Sequence, residues 1–159
     1  MSVPLTPEHL DAIRAFLDAQ STLALATVNA RGEPESAAVF FVSDDALHLY
    51  WLSSPTSRHS VNLVAQPRVA ATIYAAIWHW RDIRGIQMEG HAAPVEDAAR
   101  REAVLDRYRR KFEIRLEIEP QLAATTLYVL QPSWVRWLDN SVRFGFKAEG
   151  DSSGLRVED

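Results

Sequence analysis

The chain has 159 residues, a formal net charge of −4 and no cysteine. That length suits one domain with one core, and the mild acidity gives a nucleic-acid backbone no general reason to bind. The missing cysteines exclude disulfides, thiolate metal sites and cysteine nucleophiles; no basic-then-apolar leader or apolar run near ~18 residues is present, so the expectation is a cytoplasmic protein with no membrane partner.

Thr6-Pro7-Glu8 opens a helix over residues 7–20: Thr6 can cap, Pro7 is tolerated at the first helical position, and Glu8 suits the positive end of the dipole. Leu10, Ile13, Phe16 and Leu17 give that helix one apolar face. Three strands follow, Thr22 to Asn29, Pro34 to Val42 and Leu47 to Leu52, with turns at Ala30-Arg31-Gly32-Glu33 and Ser43-Asp44-Asp45. Strands this close together predict an antiparallel meander and leave no room for the helices a parallel sheet needs.

The polar loop Ser53-Ser54-Pro55-Thr56-Ser57 leads into a short helix from Arg58 to Ala65, ended by Pro67. Arg68 to Ala75 and Arg84 to Val95 read as a further strand pair, and Gly85 and Gly90 in the second mark a bulge or a close backbone approach. Glu96 to Phe112 is a charged amphipathic helix with Val104, Leu105, Tyr108 and Phe112 on its apolar side and alternating acids and arginines on a solvated face. Thr125 to Leu130, Ser133 to Leu138 and Val142 to Lys147 are the last predicted strands, divided by Pro132 and by Asp139-Asn140, and a mobile acidic tail is expected over residues 148–159. The expected architecture is therefore a mainly β single domain over residues 1–147, a β-barrel with peripheral helices.

Chemistry concentrates between Tyr50 and Asn62. Ser53, Ser54, Ser57, Arg58 and His59 place hydroxyls, a guanidinium, an imidazole and the N–H groups of a helix start in one loop, a set able to grip a phosphate dianion or simply to form a solvated, capped turn. Trp78-His79-Trp80-Arg81 suits either a cover over a flat ring or a dimer contact. The five histidines show no i,i+4 pair and no carboxylate at metal spacing, so no metal site is expected. No Ser-His-Asp elbow or P-loop is present, and no catalytic acid, base or nucleophile can be named.

The run Leu25-Ala26-Thr27-Val28, the turn with Gly32 and Pro34, the strand Ser36 to Val42, then Leu49-Tyr50-Trp51-Leu52-Ser53, Ser57-Arg58-His59, Asn62-Leu63 and Gln66-Pro67-Arg68-Val69-Ala70 together resemble the FMN-binding split barrels related to pyridoxamine 5′-phosphate oxidase. The resemblance spans Leu23 to Phe146 and implies a homodimer with FMN at the seam, reduced and reoxidised by a small-molecule electron donor and acceptor. It implies a phosphate cradle at Ser53, Ser57, Arg58 and His59, where His59 stands in place of the family's usual Lys. It also implies a flavin ring along Ser36, Ala37, Ala38 and Val39, and further contacts from Trp51, Leu52, Arg84 and Trp137. The stretch Leu130-Gln131-Pro132, Trp137, Asn140 and Arg143 to Lys147 resembles a bacterial branch of the family and lacks the oxidase's Arg-Leu-His-Asp-Arg ending, which counts against pyridoxamine phosphate as substrate. Relatives with this barrel carry deazaflavin or haem instead, so a flavin, deazaflavin or haem sensor and a cofactor-free dimeric interaction protein stay open as alternatives.

Overall fold

A computed structural model describes residues 1–114 and 116–151. In chain order the elements are β1 (Val3–Pro4), α1 (Pro7–Ala19), β2 (Thr22–Val28), β3 (Pro34–Phe40), β4 (Val42–Ser43), β5 (Leu49–Ser53), α2 (Arg58–Ala65), β6 (Arg68–Tyr74), β7 (Arg84–Pro94), α3 (Ala98–Lys111), α4 (Glu119–Ala124), β8 (Thr126–Asp139) and β9 (Lys147–Asp151). Helix α1 starts where the sequence places it. Thr6 accepts from the His9 N–H while His9 accepts from the Thr6 N–H, a capping box with histidine in the usual Glu position.

The strands form one nine-stranded, mostly antiparallel sheet with the path β1-β9-β8-β7-β6-β2-β3, to which β4 and β5 attach through β8. The expected three-strand meander is broken. Residues 34–42 do not form one strand: the pairing with β2 ends at Phe40, and Val42 pairs instead with Tyr50 of β5. At Phe41 the N–H is tied to the Ser21 carbonyl (3.1 Å), and the chain leaves β2. β3 stays on β2, while β4 starts a second pairing in which β5 lies between β4 and β8. The third strand also begins later than expected, at Leu49, because Leu47 adopts a left-handed backbone conformation (φ 62°) in the turn tied by Asp44.

Two further corrections lie at the C-terminal end. Pro132 does not divide a strand: β8 runs from Thr126 through Asp139. The register slips at Glu89/Gly90, where Glu89 faces Trp134 and Gly90 faces Pro132, and a bulge is where a strand tolerates a residue without an N–H. Gly90 is required there, since a Cβ would sit 2.1 Å from the Gln131 carbonyl oxygen. Residues 142–146 are turns around Gly145 (φ 68°), and the strand lies one step later as Lys147–Asp151. The chain from Ala148 to Asp151 is thus paired with β8 on one side and with β1, in parallel, on the other, and the remainder of the expected tail, 152–159, lies outside the described residues.

The main core brings Leu10, Ile13 and Leu17 of α1 together with Leu23, Leu25, Leu49, Ile73, Ile86 and Leu130 of the sheet. A second cluster of Val42, Tyr50, Val104, Tyr108, Leu127 and Val129 seats α3 against β4, β5 and β8. Each such large apolar side chain contributes roughly 1.5–3 kcal/mol relative to exposure, which is what fixes α3 beside the free edge of β3. No helix among the described residues is long and apolar enough to cross a membrane.

Candidate functional site

Because β3 ends the sheet path and α3 packs beside it, a cavity of about 560 Å³ remains between them. One wall is strand: Ala38, Val39 and Phe40 of β3 with Leu52 and Ser53 of β5. The opposite wall is apolar, from Tyr108 of α3 and Phe112 at its C-cap through Ile114 and Ile118 to Leu122 of α4, and His59 of α2 joins the lining. Tyr108 pins the two walls together, its hydroxyl 2.7 Å from the Phe40 carbonyl and 3.0 Å from the Tyr50 carbonyl. Burial pushes that phenol well above its ordinary pKa, so it remains a proton donor. Phe40 and Phe112 meet edge to face at 5.5 Å across the same seam.

Polar groups gather where β5 runs into α2. Ser53 Oγ lies 2.7 Å from His59 Nε2 and 3.0 Å from Ser57 Oγ, and Ser57 Oγ lies 3.1 Å from His59 Nε2 and 2.8 Å from Ser60 Oγ. Burial lowers the His59 pKa, which leaves a neutral imidazole at pH 7. Ser57 is the N-cap residue of α2, yet its hydroxyl makes no capping bond, so the first N–H groups of this helix have no side-chain acceptor. A helix start with free N–H groups and adjacent hydroxyls is chemically suited to an oxyanion.

Arg58 is the first residue of α2, and its guanidinium turns to the Glu35 carboxylate rather than into the serine cluster. Glu35 also accepts from Asn62 Nδ2 (2.9 Å) and Asn29 Nδ2 (3.3 Å), and Asn62 Nδ2 lies 3.0 Å from Thr27 Oγ1. The Asn62 amide and the Arg58 guanidinium hold the Glu35 carboxyl below the usual range. The Arg58 side chain is 85% exposed, so this ion pair is weak in water and the guanidinium is free to turn.

The cavity therefore brings together Ala38, Val39, Leu52, Ser53 and His59, with Ser57 in contact and Arg58 adjacent. Ser36 and Ala37 precede it on β3 without lining it. Trp51 and Trp137 are core residues: Trp51 is fully buried and stacks on Tyr128 at 5.8 Å, and Trp137 meets Phe16 at 5.4 Å. Arg84 sits at the start of β7 on Asp139 and Ser141, outside the cavity lining. Trp78 is 92% exposed, and Trp80 packs on Phe144 at 5.8 Å, so neither lines the cavity of its own chain. Sequence reasoning missed the helical wall. Tyr108 and Phe112, four residues apart on the apolar side of the predicted helix, were its only trace, and α4 had none.

A mostly antiparallel sheet that splits at Phe41, with helices over its openings, is the split-barrel fold. Over residues 10–139 the chain matches the family described as pyridoxamine 5′-phosphate oxidase, and it belongs to that family. It is 24% identical over 140 residues to a UPF0306 protein of Photorhabdus laumondii, covering 88% of this chain and 94% of that one. It is 35% identical over 89 residues to the pyridoxine/pyridoxamine 5′-phosphate oxidase of Cupriavidus metallidurans, covering 55% of this chain but only 40% of the oxidase. Among solved structures, HutZ of Vibrio cholerae, described as a haem storage protein, superposes with a TM-score of 0.65 at 27% identity, covering 82% of this chain and 91% of that one.

Proposed function

We propose that this chain is an FMN-dependent oxidoreductase that works as a homodimer, passing electrons between a small-molecule donor and acceptor. The observation that carries the reading is the juxtaposition of Ser53, Ser57, His59 and the uncapped start of α2 with a cavity walled by β3 and α3, in a chain of the pyridoxamine 5′-phosphate oxidase family. Hydroxyls and helix N–H groups fit a phosphate, and the apolar wall fits the flat ring of the same molecule. Bound FMN would supply the hydride and electron chemistry.

The chain's own residues would bind and orient. Ser53 and Ser57 donate to the phosphate after giving up their mutual hydrogen bond, and Arg58 turns from Glu35 to add a charge-assisted pair. Ala38, with its minimal side chain, lets the ring approach the strand, while Phe112 and Ile118 exclude water. The exposed Trp78 and Phe144 (92% and 78%) and Tyr74 (65%) are apolar surface of the kind that a second copy covers, which supports the dimer. Titrating the purified protein with FMN tests the reading: stoichiometric quenching of flavin fluorescence, reversed by heating, is expected. A protein that leaves flavin free at micromolar concentration overturns it.

One observation favours a second reading, haem binding without turnover. His59 offers a neutral imidazole in the lining of a mostly apolar cavity, and the haem storage protein of Vibrio cholerae is 27% identical. A Soret band on adding haem, lost in His59→Ala, would support it.

A further inference from the structure

The last turns of α3 carry a second polar corner that the flavin reading does not use. Arg107, Arg110 and Lys111 are spaced i, i+3 and i+4, so they share one face of the helix. With Asp18 of α1 and Val42 and Ser43 of β4 they line a cavity of about 330 Å³, the volume of roughly ten waters. Like charges at these spacings repel, and the negative end of the helix offsets only part of that.

These cations lack the partners that others on α3 have. Arg109 meets Glu102, Asp106 and Glu119 at 2.6 to 2.8 Å, and Arg101 caps the Leu122 and Thr125 carbonyls. Among the described residues, no carboxylate lies within 4.0 Å of the charged atoms of Arg107, Arg110 or Lys111. Arg107 uses one donor on the Ser43 carbonyl (3.0 Å) and Lys111 one on the Leu17 carbonyl (3.0 Å). An ammonium has three donors and a guanidinium five, so most remain unused. The Lys111 side chain turns inward instead of into solvent, its ammonium 4.2 Å from the centre of the Phe41 ring.

We propose that this corner between α1, β4 and the end of α3 binds a small dianion of the phosphate or phosphate-ester class. Arg110 and Lys111 supply the charge, Arg107 orients from the Ser43 side, and the cavity leaves room for a compact organic group beside the anion. Three cations against the single carboxylate of Asp18 leave the lining positive, which selects an anion over a neutral ligand.

Calorimetric titration of the full chain with inorganic phosphate and with sulfate tests it. Saturable binding is expected, weakened at least about tenfold in Arg110→Gln and in Lys111→Met, the loss expected when a charge-assisted contact is removed. The Arg110 side chain makes no hydrogen bond or ion pair with other described residues, so its replacement leaves folding intact, and thermal melting verifies this. Arg31→Gln, on the β2–β3 turn, should bind both anions as the parent does. Equal affinity in the parent and Arg110→Gln overturns the proposal, as does a loss confined to Ser57→Ala, which would place the anion at α2 instead.

Discussion

The two polar corners of this molecule are built in opposite ways. At the start of α2, Ser53, Ser57 and His59 are neutral and already hydrogen-bonded to one another. At the end of α3, Arg107, Arg110 and Lys111 are charged and largely unpaired. A ligand at the first corner must exchange existing hydrogen bonds for its own, so affinity there depends on geometry and on Arg58 leaving Glu35. A ligand at the second relieves repulsion between like charges, so affinity there depends on salt. Preorganised neutral donors and unpaired cations are two routes to an anion, and mutation and pH separate them.

The largest expected effect is at the first corner. Arg58→Ala removes a charge-assisted contact worth about 1.5–3 kcal/mol, so FMN affinity should fall by tens of fold in a fluorescence titration. Unchanged affinity would leave Arg58 a surface partner of Glu35 alone. Next comes Tyr108→Phe, which takes the buried hydroxyl from the Phe40 and Tyr50 carbonyls. A stability loss of about 1–2 kcal/mol is expected, read as a melting temperature several degrees lower. No change would mean that apolar packing alone fixes the helical wall.

A smaller effect is expected at the second corner. Burial pushes the Lys111 amine down to about 8 from its ordinary 10.5. Between those two values the unfolded chain binds more protons than the folded one, so stability should rise as pH goes from about 8 to 10.5. Solvent screening of this half-buried group limits the gain to about 1 kcal/mol. Denaturant titrations at pH 8 and pH 10 should show the increase in the parent and not in Lys111→Met. The smallest effects separate two faces of α3. Arg109→Gln, which breaks an ion-paired network, should lower stability slightly, whereas Arg110→Gln should be neutral or slightly stabilising at low salt. Equal costs would contradict the view that only one face is partnered.

Much of the first corner was legible in the chain because it is local. Ser53, Ser57, Arg58 and His59 fall within seven consecutive positions around a helix start, and their types already suggest an anion. The helical wall was not, because Tyr108 and Leu122 become neighbours of Ala38 only through the packing of α3 and α4 on β3. The second corner has the same origin: Asp18, Ser43 and Lys111 are far apart in sequence and meet where α1, β4 and α3 converge. A run of arginines alone reads as a solvated face, and only the packing shows which of them have partners.

Local chemistry in the sequence determined the capped helix at Thr6, the alternating strands from Thr22 onward and the loop of serines before Arg58. Each of these rests on interactions between residues close in the chain. Tertiary structure decided the break at Phe41, the passage of β8 through Pro132 by way of a bulge, and the strand at Lys147–Asp151 against both β8 and β1. Those outcomes depend on which distant backbone groups are available for pairing and which side chains the core can bury, and the packed sheet alone supplies both.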